Sequence, residues 1–245
     1  MKISKSILFV AVISAVFSCK KTDQTIEADP DPNPNPVADN YSSPKDFYSK
    51  NAVPVQTYTI NALTGGNFTS PQGAIVTIAP NSFVTQGNVP VSGTVTIKFR
   101  DIYKKSDMLL SNIATSTYWG TPLKSGGEFF IKAMLNNSAV TLLPGKKITV
   151  SQPAALTGGL DTLNVQQPFV GLDTAGLGIG WFPAPADSVE NAANAYVFSL
   201  YHFQFPADSG TWCNSDNASY FSAYTQTTLT LLPADTIASY KTDVF

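Results

Sequence analysis

Apolar side chains recur at every second position along short stretches of this chain, and Gly, Pro or Asn interrupts each stretch. Val95, Ile97 and Phe99 alternate with Thr94, Thr96, Lys98 and Arg100, which sends one row to a core and the other toward water. Ala74, Val76 and Ile78 repeat the pattern around Thr77. In residues 128–134, Phe129, Ile131 and Ala133 oppose Glu128, Phe130, Lys132 and Met134. Pro71-Gln72-Gly73 and Pro144-Gly145 supply turns, and the one helical candidate, residues 104–111, is short. A chain patterned in this way has to pair many short strands and cover one face of each. The spacing therefore predicts an all-β fold of the sandwich kind. Composition agrees: charged residues make up 13% and Phe, Trp and Tyr 11%, which excludes a coiled coil and a charge-driven disordered chain. With 15 Lys and Arg against 17 Asp and Glu, the net charge of −2 excludes a basic nucleic-acid binder.

The N-terminus carries a different signal. Lys2 and Lys5 precede an apolar run over residues 7–17, closed by Ser18. That run is too short to span a bilayer, which takes about 20 apolar residues, and it reads as a secretory signal peptide over residues 1–18. Val16-Phe17-Ser18-Cys19 resembles the bacterial lipobox. The resemblance implies that Cys19 is acylated and anchors the mature chain to a lipid bilayer; the alternative is an ordinary cleaved leader with an incidental cysteine. One acyl chain binds a membrane only marginally, whereas two or more hold it firmly. Residues 19–52 then read as a disordered tether, because Pro30, Pro32, Pro34 and Pro36 alternate with Asp or Asn and favour extended polyproline II. Ser42-Ser43-Pro44-Lys45 matches the Ser-x-x-Lys string of β-lactam-binding enzymes, without its companion motifs.

Beyond the tether the sequence suggests two parts, a β-sandwich domain over residues 53–152 and a second, possibly incomplete β-rich domain over residues 153–245. Gly65-Gly66-Asn67-Phe68, residues 73–78 and Pro80-Asn81-Ser82-Phe83-Val84 resemble the opening of the ZU5 domain, a β-sandwich of eukaryotic scaffold and receptor proteins. That likeness covers residues 65–99, with Ala79 where many ZU5 sequences have a first proline. A wider resemblance runs over residues 58–216. Asp107-Met108-Leu109-Leu110-Ser111-Asn112 and Lys124-Ser125-Gly126-Gly127-Glu128-Phe129-Phe130 are similar to uncharacterised Bacteroidetes envelope lipoproteins. This resemblance implies a lipid-anchored place in the cell envelope, at the outer membrane, with the membrane face left open, and carries no activity. In the second part, a strand is expected at residues 178–182 and a long aromatic strand covered on both faces at residues 194–205. A polar turn follows at 211–216, then a strand at 225–232.

Catalytic constellations are sparse. His202 is the only histidine, which excludes multi-histidine metal sites, and no Gly-x-Ser-x-Gly elbow or phosphate-binding glycine loop is present. On an aromatic strand His202 reads as a packed residue. No cofactor and no metal is predicted. Only three glutamates occur, and a carboxylate pair such as Glu128 with Asp101 is the one route left to a glycosidase. The plainer reading of Glu128 is a surface charge beside Lys132. Candidate ligand-binding residues are Trp119, Trp181, Trp212, Asn214 and Asp216, since flat rings and amide or carboxylate groups suit sugars. Asp208, Asn214 and Asp216 could instead offer oxygens to calcium, although no EF-hand spacing is present; Trp212 could as well plug a core beneath a turn. Thr162, Thr174, Ser188 and Thr236 follow Asp and precede an apolar residue, which resembles the O-glycosylation acceptor of Bacteroides glycoproteins. Cys213, with no cation nearby in sequence, reads as a buried, inert thiol.

Two functions of different class remain open. One is a non-catalytic, lipid-anchored envelope module that binds a protein or glycan. The other is a hydrolase acting on polysaccharide or envelope polymer with paired carboxylates.

Overall fold

The computed structural model describes residues 41–173, 178–203 and 210–218. The expected signal peptide, Cys19, Thr174, Asp208, the strand expected at 225–232 and Thr236 lie outside the described residues.

The first element falls inside the stretch read as tether. Helix α1, Pro44–Asn51, begins where Ser43 Oγ accepts a hydrogen bond from the Asp46 backbone N–H at 3.1 Å. Pro44 suits the first helical turn, where its missing N–H is not needed, and Asp46 pairs with Lys50 one turn on, at 3.0 Å. The disordered reading of residues 19–52 is therefore wrong for this part. Capping overrode the proline signal.

Fifteen strands follow among the described residues. They are β1 Gln56–Asn61, β2 Gly66–Thr69, β3 Ile75–Ile78, β4 Phe83–Val84 and β5 Thr94–Ile102, then, after helix α2 Lys105–Leu110, β6 Ile113–Thr117 and β7 Lys124–Leu135. Next come β8 Ser138–Ala139, β9 Thr141–Leu142 and β10 Ile148–Pro153, and then a 3-10 turn at Ala154–Thr157. The series ends with β11 Gln167–Asp173, β12 Ile179–Pro183, β13 Ser188–Ala192, β14 Ala195–Leu200 and β15 Thr211–Asn217. The fold is all-β, as the alternation requires. An eight-stranded sheet runs β1-β5-β7-β15-β11-β12-β6 with β8 on β7, and a five-stranded sheet runs β13-β14-β10-β3-β2. Strands β4 and β9 form a small third sheet.

The two large sheets share one core. Val95, Ile97 and Phe99 of β5 and Phe129, Ile131 and Ala133 of β7 meet Val76, Ile78, Val150 and Phe198 from the five-stranded sheet. The Phe129 and Phe198 rings meet edge to face across the gap, with centroids 5.2 Å apart. The rows assigned to the core in residues 94–100 and 128–134 are buried, and in the second stretch Glu128 and Met134 of the opposite row are buried as well.

The division expected at residue 153 is not how the strands pair. β14 joins β10 with Ile148 opposite Leu200, and β15 sits between β7 and β11. The second half completes both sheets begun by the first, so residues 153–218 are not a separate β domain. The long aromatic strand is also shorter than expected, ending at Leu200. Tyr196, Phe198 and Leu200 are buried, whereas Ala195 and Val197 are half-buried, so only one row is fully covered.

The other face of the eight-stranded sheet has its own cover. Ile102, Phe169 and Trp181 pack under Met108 of α2, Ile113 of β6 and Leu123. Gly171 permits this, because a Cβ there would lie 2.8 Å from the Trp181 ring and from Trp212 Cβ.

Candidate functional site

Strand β15 is read as a turn from sequence, and its position is the largest departure. Asn214, Ser215 and Asp216 are completely buried, in the middle of the widest sheet. Backbone pairing to β7 on one side and β11 on the other uses the main-chain groups that a turn would leave to side chains. The side chains then bond to one another and to β7 and β10. Asn214 Nδ2 donates to Asp216 Oδ2 at 2.6 Å and reaches Glu128 Oε1 at 3.5 Å. Ser125 Oγ donates to Asn214 Oδ1 at 3.0 Å, and Ser215 Oγ donates to Gln152 Oε1 at 2.6 Å. A register shift between Asn214 and Asp216 faces the pair Gly126-Gly127 on β7. At Gly127 φ is 123°, and a Cβ would lie 2.7 Å from Gln152 Nε2, so only glycine fits beneath this network.

Two carboxyl groups share this buried seam. Burial, then the charge of Asp216, pushes Glu128 well above its usual range, and Arg100 opposes that only in part. Burial pushes Asp216 up to about 8, against a smaller opposing effect of Ser125. Arg100 does not close a salt bridge onto Glu128. Its Nη1 donates to the Val53 carbonyl at 3.0 Å, and its guanidinium lies 4.6 Å from the centre of the Trp212 ring. Both acids therefore favour the neutral form at physiological pH.

These positions correct the expected carboxylate pair. Asp101 stands opposite Phe129 and Ile102 opposite Glu128, so Asp101 and Glu128 point to opposite faces of the sheet. Asp101 accepts from Ser70 Oγ at 2.6 Å instead. Glu128 is completely buried and is not a surface charge. Asp216 is the acid that accompanies it.

The exposed chemistry lies elsewhere, at the turn after β6. Thr117 Oγ1 accepts from Thr121 N at 3.0 Å, Gly120 adopts φ 84°, and the Tyr118 N–H donates to the Trp181 carbonyl at 2.9 Å. This tight turn holds Tyr118 and Trp119 outward, 56% and 69% exposed. Phe182 of β12 completes a trio. Its ring stacks on Tyr118 at 4.7 Å and meets Trp119 edge-on at 5.3 Å. Beside the trio runs a groove of about 870 Å³ with Asn112, Ser116, Thr117 and Asp173 as polar lining. Among the described residues no Lys or Arg lines it.

Of the five candidate ligand residues, Trp119 alone faces solvent. Trp181 is completely buried in the outer core, Trp212 is half-buried between Arg100 and Phe130, and Asn214 and Asp216 are sealed in the seam. Asn214 and Asp216 stand on a central strand and not in a loop, and among the described residues no group of three or more His, Cys, Asp or Glu is placed to hold a metal. Among the O-glycosylation candidates, Thr162 is exposed and Ser188 half-buried. Asp161 before Thr162 pairs with Lys124 at 2.9 Å, which with Asn164 holds its carboxyl down at about 2. Cys213 is buried in the main core, and burial pushes its thiol well up. Among the described residues no helix is long and apolar enough to cross a membrane.

Phe182 and Asp216, as partner of Glu128, escaped sequence reasoning. Adjacent Tyr118-Trp119 before a Gly120-Thr121-Pro122 turn signals exposed rings, whereas the seam has no such local mark. No protein-family model, no curated protein and no solved structure matches this chain.

Proposed function

We propose that this protein is a lipid-anchored binding module of the cell envelope, held at the outer membrane by acylated Cys19, which captures glycan on Tyr118, Trp119 and Phe182. The observation that carries the reading is the pair of exposed rings, Tyr118 and Trp119, held against half-buried Phe182 beside a groove. Single exposed apolar residues are ordinary, but three large rings fixed together at the surface mark an interaction site. Flat rings take up the C–H face of a pyranose, and the amide, hydroxyl and carboxylate groups of the groove suit sugar hydroxyls. A groove without Lys or Arg favours a neutral glycan over an acidic one.

Binding is favoured over bond cleavage by the location of the acids. Glu128 and Asp216 are buried and line neither groove, so a polymer lying on the trio would not reach them. Titration calorimetry against a panel of neutral hexose oligosaccharides tests the reading. Trp119→Ala should weaken binding roughly tenfold and Trp119→Phe much less, since the second keeps a flat ring. Equal binding by wild type and Trp119→Ala would refute the site.

A further inference from the structure

We propose that a second groove, lined in part by α2, binds a single-chain amphiphile with an anionic head. This groove has a volume of about 950 Å³ and is lined by Lys104, Lys105 and Lys124 and, among the described residues, by no Asp or Glu. Asp161 occupies Lys124 at 2.9 Å, whereas Lys104 and Lys105 carry no ion pair among the described residues. Two lysines are thus left to meet a carboxylate or phosphate. Met108, Ile113 and Leu123 of the outer core lie beneath the groove, and its apolar surface comes from Leu109 and Leu156, 70% and 43% exposed. A strip of apolar surface continuous with free cations, in a chain of only 13% charged residues, is complementary to a tail joined to an anionic head.

The shape selects one molecule over a membrane surface. Elements that rest on a bilayer present a protruding apolar face, whereas this surface is concave and falls within the roughly 300–1,000 Å³ range of small-molecule sites. Nucleic acid is a poor fit, since two free lysines neutralise too few phosphates and the protein is acidic overall. The aromatic groove shares Leu109 and Ile113 with this one but has no cation, so the two sites take different ligands.

The test is displacement of a fluorescent long-chain fatty acid by palmitate from the full chain carrying Cys19→Ser, so that neither acyl group nor detergent competes. Saturable 1:1 binding is expected, at least about fivefold tighter for palmitate than for its methyl ester. Lys104→Glu with Lys105→Glu should weaken it about tenfold and Leu156→Gln about threefold, with Trp119→Ala unchanged. Lys104→Gln with Lys105→Gln serves if the charge reversal perturbs folding. Any of four results would overturn the proposal: no saturable binding, equal affinity for the methyl ester, equal affinity for acetate, or undiminished binding by the lysine variants. Lysine-dependent binding to phosphatidylglycerol vesicles without binding of palmitate would likewise overturn it, in favour of a membrane contact.

Discussion

Replacing Asp216 by asparagine should stabilise the protein at neutral pH and flatten its dependence on pH. In the unfolded chain the carboxyl ionises near 3.8, whereas in the fold burial holds its proton up to about 8. Between those values the folded protein carries a proton that the unfolded chain has released. Stability is therefore fully present below the unfolded value and is lost as pH rises toward 8, at about 1.4 kcal/mol per unit for one proton. From pH 5 to pH 7 that is roughly 3 kcal/mol, a large part of the ~5–15 kcal/mol that a domain possesses. Glu128, raised by burial and by Asp216, adds to the loss, as do Asp101 and Asp187, which burial also raises. The diagnostic quantity is thus the difference between variant and wild type, in which Asp101 and Asp187 cancel.

Asp216→Asn keeps an oxygen that accepts from Asn214 Nδ2 and removes the titrating group, with Ser125 near enough to receive the new amide. Misfit of that amide costs about 1 kcal/mol at every pH. Urea unfolding at pH 5, 6 and 7 at constant ionic strength should show the variant gaining on wild type by roughly 3 kcal/mol across the range, with equal m-values. A difference constant to within ~0.5 kcal/mol would mean that Asp216 is ionised in the fold, and the account of the seam would be wrong.

Three further outcomes follow from the same geometry. Gly127→Ala should lose at least about 3 kcal/mol, because φ 123° and the nearby Gln152 and Tyr103 leave no place for a Cβ; a loss below ~1 kcal/mol in urea unfolding would contradict the seam's packing. Cys213 should resist iodoacetamide in the native protein at neutral pH and react fully in denaturant, and rapid native modification would place the thiol outside the core. A palmitate analogue should label wild type and not Cys19→Ala in cells, and equal labelling would remove the proposed anchor.

What could be read in the sequence depended on the range of the interaction. β5 and β7 were legible because Val95, Ile97, Phe99, Phe129, Ile131 and Ala133 declare their face by local alternation. α2 was legible as the only short helical pattern, whereas α1 was hidden by a tether composition and became visible only through the Ser43 cap. The central strand β15 was not legible, because Asn214, Ser215 and Asp216 are residues that ordinarily bond their own backbone in turns. They tolerate burial here because Glu128 and Ser125 lie 86 and 89 residues away in sequence yet adjacent in space, and because Gly126-Gly127 opens the β7 side. No window of sequence contains both halves of that arrangement. The same separation explains the mistaken boundary at 153, since a strand placed between β7 and β11 makes its contacts with segments far from it in the chain. The candidate sites divide in the same way. Trp119 and Tyr118 owe their exposure to a four-residue turn, so their prominence was readable locally. The neutral acids of the seam exist only once the sheet is closed. Exposed rings and neutral buried acids are thus separate features of this fold: the first depend on a local turn, and the second on the pairing of β15 with β7 and β11 that joins the two halves.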